Sequence, residues 1–229
     1  MGSTHAGLTA HLIQRGLLTE IRALQAFQLT DRAHFVPSPL VAMAYLDRPL
    51  PVGFNVTISA PHMHAICLDI LSPLLTPGAK FLDVGSGSGY VCAAAAHLCL
   101  GGTPGGGGLV VGIDHVQELV DWSRDNLSKG AATKQWLGEG RISLCTGDGR
   151  LGVPSHAPYT CIHVGAMALG AIPQALLDQL AVGGVLVCPF NDELVVATKE
   201  TDGKISTRVA LEVGYVPLTD LESQKRGYE

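Results

Sequence analysis

The chain has 229 residues, 47% hydrophobic and only 15% charged, with 28 glycines and 13 prolines that follow no Gly-X-Y period. This excludes disorder, collagen and coiled coil, and leaves a single globular unit burying ~70% of its unfolded surface. With 15 Lys+Arg against 20 Asp+Glu the net charge is −5, so no positive field draws in a phosphate backbone and nucleic acid is not an expected partner.

Between residues 8 and 26 apolar positions recur at helical spacing (Leu8, Leu12, Ile21, Leu24) and Gly16 interrupts them, which predicts two short amphipathic helices. Pro37, Pro39, Pro49 and Pro51 then impose a loop. It leads through Ile58-Ser59-Ala60 into a predicted helix over 61–75, with Pro61 suited to the first turn and Thr76-Pro77-Gly78 as the stop. Apolar runs over 80–84, 109–113, 142–146, 159–164 and 185–189 follow, with helix-length segments over 90–100, 116–128 and 172–180 among them. Gly183-Gly184 closes the last of these helices. This alternation predicts an α/β fold, a mostly parallel twisted sheet with helices on both faces. Runs over 193–199 and 205–213 around Asp202-Gly203 predict a closing antiparallel hairpin, and the glycine tract 101–108 is expected to be a flexible surface connection.

Cys67, Cys92, Cys99, Cys145, Cys161 and Cys188 form no C-x-x-C pair, and most sit in apolar stretches. They are expected to be buried thiols in a reducing compartment. No run is long enough for a membrane span and no basic-then-apolar leader opens the chain, so a cytosolic protein is expected, without membrane association.

Three strand ends carry the chemistry. Asp83-Val84-Gly85-Ser86-Gly87-Ser88-Gly89 places three glycines between a strand and a helix, where absent Cβ atoms let the backbone turn tightly and approach a ligand. The spacing is G-x-G-x-G, whereas the dinucleotide fingerprint is G-x-G-x-x-G. Asp83 would repel a pyrophosphate but suits an ammonium group, which favours a nucleotide bearing an amino acid over a dinucleotide. Asp114 closes the second strand where such folds hold ribose hydroxyls, although it could instead cap the next helix. Asp148-Gly149, after the third strand, could meet an adenine amino group or merely form a turn. S-adenosyl-L-methionine has the ammonium, ribose and adenine that such a set requires.

The stretch Thr57-Ile58-Ser59-Ala60-Pro61-His62-Met63-His64-Ala65, followed by the glycine motif, resembles the protein-L-isoaspartate (D-aspartate) O-methyltransferase family. So do Gly147-Asp148-Gly149-Arg150, Ile162-His163-Val164-Gly165-Ala166 and Val216-Pro217-Leu218-Thr219, in the same order along nearly the whole chain. The resemblance implies the Rossmann-like methyltransferase fold and methylation, by S-adenosyl-L-methionine, of the free carboxylate of isoaspartyl residues in damaged proteins and peptides. S-adenosyl-L-homocysteine would be the product, and the enzyme a monomer. It further implies that Val56, Thr57, Ile58, Ser59 and His64 line the cofactor pocket from a lid. Asp83, Gly85, Ser86, Gly87, Ser88, Gly89, Asp114, His115, Asp148, Gly149 and Thr219 would hold the remainder. Ile58, Ser59, Val216, Pro217 and Leu218 would meet the substrate, with Ser59 at the catalytic centre. One domain is expected: 1–78 for the helices and lid, 79–190 for the cofactor core, 191–229 for the hairpin and substrate segment. Asn55, the run Met167-Ala168-Leu169 and the glycine tract depart from the family pattern and bear on substrate preference.

The chemistry requires no catalytic dyad, because a carboxylate with a reference pKa near ~4 is already ionised at neutral pH. Ser59 could orient it with one hydrogen bond, where a Lys or Arg would hold the charge too tightly. Capping the following helix is the alternative use of Ser59. His62-x-His64 has no third ligand cluster beside it, so no metal is expected. His97, His115, His156 and His163 read as structural or surface residues, His115 also standing beside Asp114 at the cofactor edge. Two other functions stay open at this point: a cofactor-binding adaptor without turnover, and a nucleic-acid methyltransferase, which the negative charge disfavours.

Overall fold

The computed structural model describes residues 4–101, 106–214, 218–219 and 221–222. Two helices open it, α1 (His5–Gln14) and α2 (Ile21–Leu29), separated at Gly16, whose φ is +66°. Two 3-10 turns, Arg32–Phe35 and Ser38–Met43, carry the proline-containing segment onward. That segment is not all loop: β1 (Leu50–Gly53) and β2 (Val56–Ile58) form a small antiparallel hairpin, with Pro51 opposite Thr57. Proline is tolerated there because the strand is an edge.

Next come α3 (Pro61–Leu71), β3 (Lys80–Val84), α4 (Tyr90–Cys99), β4 (Leu109–Asp114), α5 (Gln117–Leu127) and α6 (Ala131–Gly138). Then follow β5 (Ile142–Thr146), β6 (Tyr159–Val164), α7 (Gln174–Asp178), β7 (Leu180–Phe190), β8 (Glu193–Lys199) and β9 (Ile205–Glu212). α3 stops short of residue 75 because Pro73 has no N–H to continue the i→i−4 ladder, although Ser72 before it is still helical with φ −58° and ψ −32°. α6 was not expected. The helix predicted over 172–180 is only five residues long, and the strand predicted over 185–189 begins at Leu180 and runs through Gly183-Gly184.

The main sheet has the order β5-β4-β3-β6-β7-β8-β9. Its first five strands pair parallel, and β8 and β9 close it antiparallel around the Asp202-Gly203 turn. Alternate side chains feed two cores. Phe81, Val110, Cys161 and Val187 pack with Phe27, Leu68 and Ala93 on the face that carries α1 to α6. Leu82, Val111, Ile162 and Leu186 pack with Leu176 of α7 on the other. At ~25 cal/mol per Å² of apolar surface removed from water, these two layers dominate the favourable side of folding. Among the described residues, no helix is long and apolar enough to cross a membrane. All six cysteines are free thiols, five buried and Cys145 partly so.

In this order β3 is adjacent to both β4 and β6, so the chain leaves the two neighbours of β3 in opposite directions across the sheet. The carboxyl ends flanking such a reversal form a crevice, and ligands of open α/β sheets bind there.

Candidate functional site

A cavity of about 750 Å³ opens at those carboxyl ends. Its floor is the turn after β3. Gly85, Gly87 and Gly89 have φ of +71°, +49° and +82°, a region costly for any residue with a Cβ. Gly85 N and Ser86 N both donate to the Ile113 carbonyl, at 2.9 and 3.1 Å, and Gly87 N donates to Asp114 Oδ2 at 2.9 Å. The glycine turn is therefore stitched to the end of β4. Asp114 Oδ1 accepts from Val116 N at 3.0 Å, while the N-cap of α5 is Val116 itself, without a side-chain cap. Burial raises the Asp114 pKa, opposed by these two backbone hydrogen bonds.

The roof is the β1–β2 hairpin. Its two-residue turn, Phe54-Asn55, has positive φ at both positions, +53° and +57°. The outgoing strand brings Val56, Thr57, Ile58 and Ser59 over the glycine turn, all of them lining the cavity. The N-cap of α3 is Ala60, with no side chain capping the helix, so Ser59 is not spent on that task.

α3 then presents two imidazoles that turn away from each other. His62 Nδ1 lies 2.8 Å from Asp47 Oδ1, which also accepts the His62 backbone N–H. His64 is buried, stacks on Tyr90 at 4.4 Å, and has its Nδ1 3.4 Å from Arg32 Nη1. Burial, with the nearby charge of Arg32, pushes the His64 pKa well below its usual value. Among the described residues no group of three His, Cys, Asp or Glu is arranged to hold a metal.

Beneath the roof, Asp83 at the end of β3 is 1% exposed. His163 Nδ1 of β6 lies 2.8 Å from its Oδ1, and Cys92 Sγ donates to its Oδ2 at 3.3 Å. Burial alone would discharge His163, but hydrogen bonds to Asp83 and Cys67 outweigh it and hold its pKa up to about 10. His163 also lines the cavity, a position the sequence reading did not give it. Asp83 still has lone pairs to offer, because an ionised carboxylate accepts at about four sites.

The far wall comes from the end of β9. Val213 N donates to the Asp192 carbonyl at 2.7 Å, and Leu218 N to the Met167 carbonyl at 2.6 Å. The second bond fastens the C-terminal segment to the loop after β6, and Leu218 and Thr219 line the cavity. Val216 and Pro217 lie outside the described residues, as do residues 102–105 of the glycine tract.

The residues expected at the site thus converge, with two exceptions in their geometry. Gly89 stands behind the floor as the N-cap of α4. Asp148 turns its carboxylate to Arg150 Nη2 at 2.7 Å, which lowers its pKa, and it is Gly149 that reaches the cavity. Besides His163, the sequence reading missed Tyr90 and the β9 end, Leu211 to Gly214. Tyr90 follows directly on the glycine motif, which is a signal that could have been used; the β9 end carries none.

Residues 3–223 match the family model described as protein-L-isoaspartate(D-aspartate) O-methyltransferase. The chain is 45% identical over 225 residues to protein-L-isoaspartate O-methyltransferase 2 of Arabidopsis thaliana, covering 97% of this chain and 70% of that one. It is 40% identical over 227 residues to protein-L-isoaspartate O-methyltransferase of Caenorhabditis elegans, covering 97% and 96%. Among solved structures it is similar, with a TM-score of 0.84 and 27% identity, to one from Plasmodium falciparum described as a protein-L-isoaspartate O-methyltransferase in complex with S-adenosyl-L-homocysteine. That likeness covers 95% of this chain and 99% of the other. A match that runs from the first helix past the segment bearing Thr219 takes in roof, floor and far wall alike, and the chain belongs to the protein-L-isoaspartate(D-aspartate) O-methyltransferase family.

Proposed function

We propose that this chain transfers the methyl group of S-adenosyl-L-methionine to the free carboxylate of L-isoaspartyl residues in damaged proteins and peptides. Membership of the family supports the reaction, and the geometry supports the division of labour among residues. The observation that carries it is the cavity itself, in which the buried carboxylates of Asp83 and Asp114 both border one glycine turn.

The residues fit the donor. Asp83 is placed for an ammonium group, and Asp114, anchored by Gly87 and Val116, for ribose hydroxyls. Ser86 Oγ is buried without a hydrogen-bond partner among the described residues and lines the cavity, an orphaned group that a polar ligand would satisfy. A Cβ at Gly87 would lie 4.0 Å from Val56 Cγ1, entering the gap between floor and roof. Gly149 and His115 border the nucleoside end, and Thr219 closes the far wall. When bound, S-adenosyl-L-methionine supplies an electrophilic methyl group on its sulfonium sulfur.

The chain's own task is then orientation and the exclusion of water, which together can supply up to ~7–11 kcal/mol. Ser59 donates a hydrogen bond that aims the acceptor carboxylate without neutralising it. Neither Lys nor Arg is among the described residues lining the cavity, and the imidazolium of His163, which does line it, is paired with Asp83. Ile58 and Leu218, which both line the cavity, flank the acceptor. The isoaspartyl linkage shifts the backbone by one methylene, and only that isomer brings its free carboxylate to Ser59. In this reading residues 1–78 supply the lid, 79–190 the donor site and 191–229 the substrate wall. The six free thiols support a cytosolic, reducing setting, and the enzyme acts as a monomer.

A matched pair of peptides, one isoaspartyl and one aspartyl, incubated with methyl-labelled donor, tests the proposal. Label on the isoaspartyl peptide alone supports it; equal labelling of both, or none, refutes it. Donor binding without any label would instead favour the adaptor.

A further inference from the structure

Arg32 is 0% exposed, and among the described residues no carboxylate lies within ion-pair distance of it. Among the described residues its contacts are few and weak: Nη1 at 3.4 Å from His64 Nδ1, Nη2 at 3.4 Å from the Arg48 carbonyl, and Nε with no partner. Burying a guanidinium on such terms is costly, since desolvation is repaid mainly by close, charge-assisted hydrogen bonds. Burial lowers its pKa to about 10, which leaves it protonated at neutral pH.

The pairing has a chemical consequence. A guanidinium has N–H donors and no acceptor, so the atom it addresses on His64 must carry a lone pair. The proton of the neutral ring is therefore on Nε2. One face of the ring is occupied by Tyr90, whose centroid is 4.4 Å away at an interplanar angle of 21°. With Nδ1 directed at Arg32, the edge bearing Nε2 is what His64 has left for the cavity it lines. Asp83, which would take the ammonium of the donor's amino-acid end, lines the same cavity.

We propose that Arg32 is a positioning residue for the donor site: from behind, it fixes His64 in the Nε2–H tautomer, and that neutral ring donates a hydrogen bond to the amino-acid carboxylate of the donor. This rests on the reading above that the cavity holds S-adenosyl-L-methionine. A neutral donor suits the position, because it recognises the carboxylate without placing another cation beside the sulfonium. The opposite tautomer would turn a lone pair toward the carboxylate and repel it.

Two measurements on the full chain test this. Nitrogen NMR of the imidazoles at neutral pH should find His64 neutral with Nδ1 unprotonated. A wild-type His64 with its proton on Nδ1 overturns the proposal without any variant being made. Calorimetric titration should then show Arg32→Met weakening S-adenosyl-L-homocysteine by about tenfold, the order expected for one hydrogen bond to a charged group. The same variant should bind 5′-deoxy-5′-(3-aminopropylthio)adenosine, which lacks the carboxylate, about as the wild type does. Arg32→Lys keeps a buried donor without an acceptor, and it should retain the Nε2–H ring and most of the affinity. Equal weakening of both ligands, or unchanged affinity for both, sinks the role of Arg32 while leaving the donor site standing. A wild-type chain that binds neither ligand removes the donor site, and this inference with it.

Discussion

His163 Nδ1 lies 2.8 Å from Asp83 Oδ1, joining the ends of β6 and β3 through a pair whose two members are 5% and 1% exposed. Because the folded state holds the His163 pKa up to about 10, against an ordinary value near ~6.5, folding takes up a proton between those limits. The contribution of His163 to stability is therefore complete below pH ~6.5 and is lost as pH rises toward 10. Replacing His163 by Gln removes one partner of a buried pair and should cost about 3–5 kcal/mol at the acidic end of this window. Urea unfolding of both proteins from about pH 6 to about pH 10 checks it. The difference between them should shrink with rising pH, and a constant or growing difference would show that His163 is neutral in the fold.

Asp114 accepts two backbone N–H groups, one from the glycine turn and one from the approach to α5. Asp114→Asn retains the shape but loses the charge and turns an amide donor on one of them. Affinity for S-adenosyl-L-homocysteine should fall by roughly 10- to 100-fold, as for the loss of one or two charge-assisted hydrogen bonds. Calorimetric titration measures this, and unchanged affinity would remove Asp114 from the donor site.

Ser59 carries the proposed contact with the acceptor. Ser59→Ala should lower kcat by roughly 10- to 100-fold, the worth of one hydrogen bond to a charged group, with donor affinity little changed. Steady-state kinetics on an isoaspartyl peptide, set beside a binding titration, separates the two. Full turnover in the variant would exclude the assigned role.

Gly149 has no room for a side chain, since a Cβ there would sit 2.6 Å from Val84 Cγ1. Gly149→Ala should shift the turn after β5, destabilise the protein by about 1–3 kcal/mol and narrow the nucleoside end of the cavity. Thermal unfolding with and without S-adenosyl-L-homocysteine reads both effects. A variant with wild-type Tm and an undiminished ligand shift would contradict the close packing.

The central sheet was legible because β3 to β6 are short apolar runs bounded by turn residues, and the glycines after β3 point to a ligand-approaching turn without further information. The β1–β2 hairpin was hidden. Its strands contain Pro51, and its turn is Phe54-Asn55, where the usual glycine signal is missing although both residues adopt positive φ. α6 was missed because its residues lack a continuous apolar stripe, with Thr133 and Trp136 the only ones buried. His163 was undervalued for a different reason: an isolated histidine in an apolar strand looks structural, and its partner Asp83 is 80 residues away along the chain. Arg32 likewise meets His64 only once α3 has packed against the first 3-10 turn. Local pattern reveals elements and turns; pairings between strand ends depend on the order of the sheet.

The location of the donor matters most, and a crystal structure of the enzyme soaked with S-adenosyl-L-homocysteine tests it. The prediction is ligand density over the Gly85–Gly89 turn, ribose hydroxyls at the Asp114 carboxylate and the amino-acid end between Asp83 and His64. Density elsewhere, or a crevice left empty by a ligand that binds the same protein in solution, would contradict it.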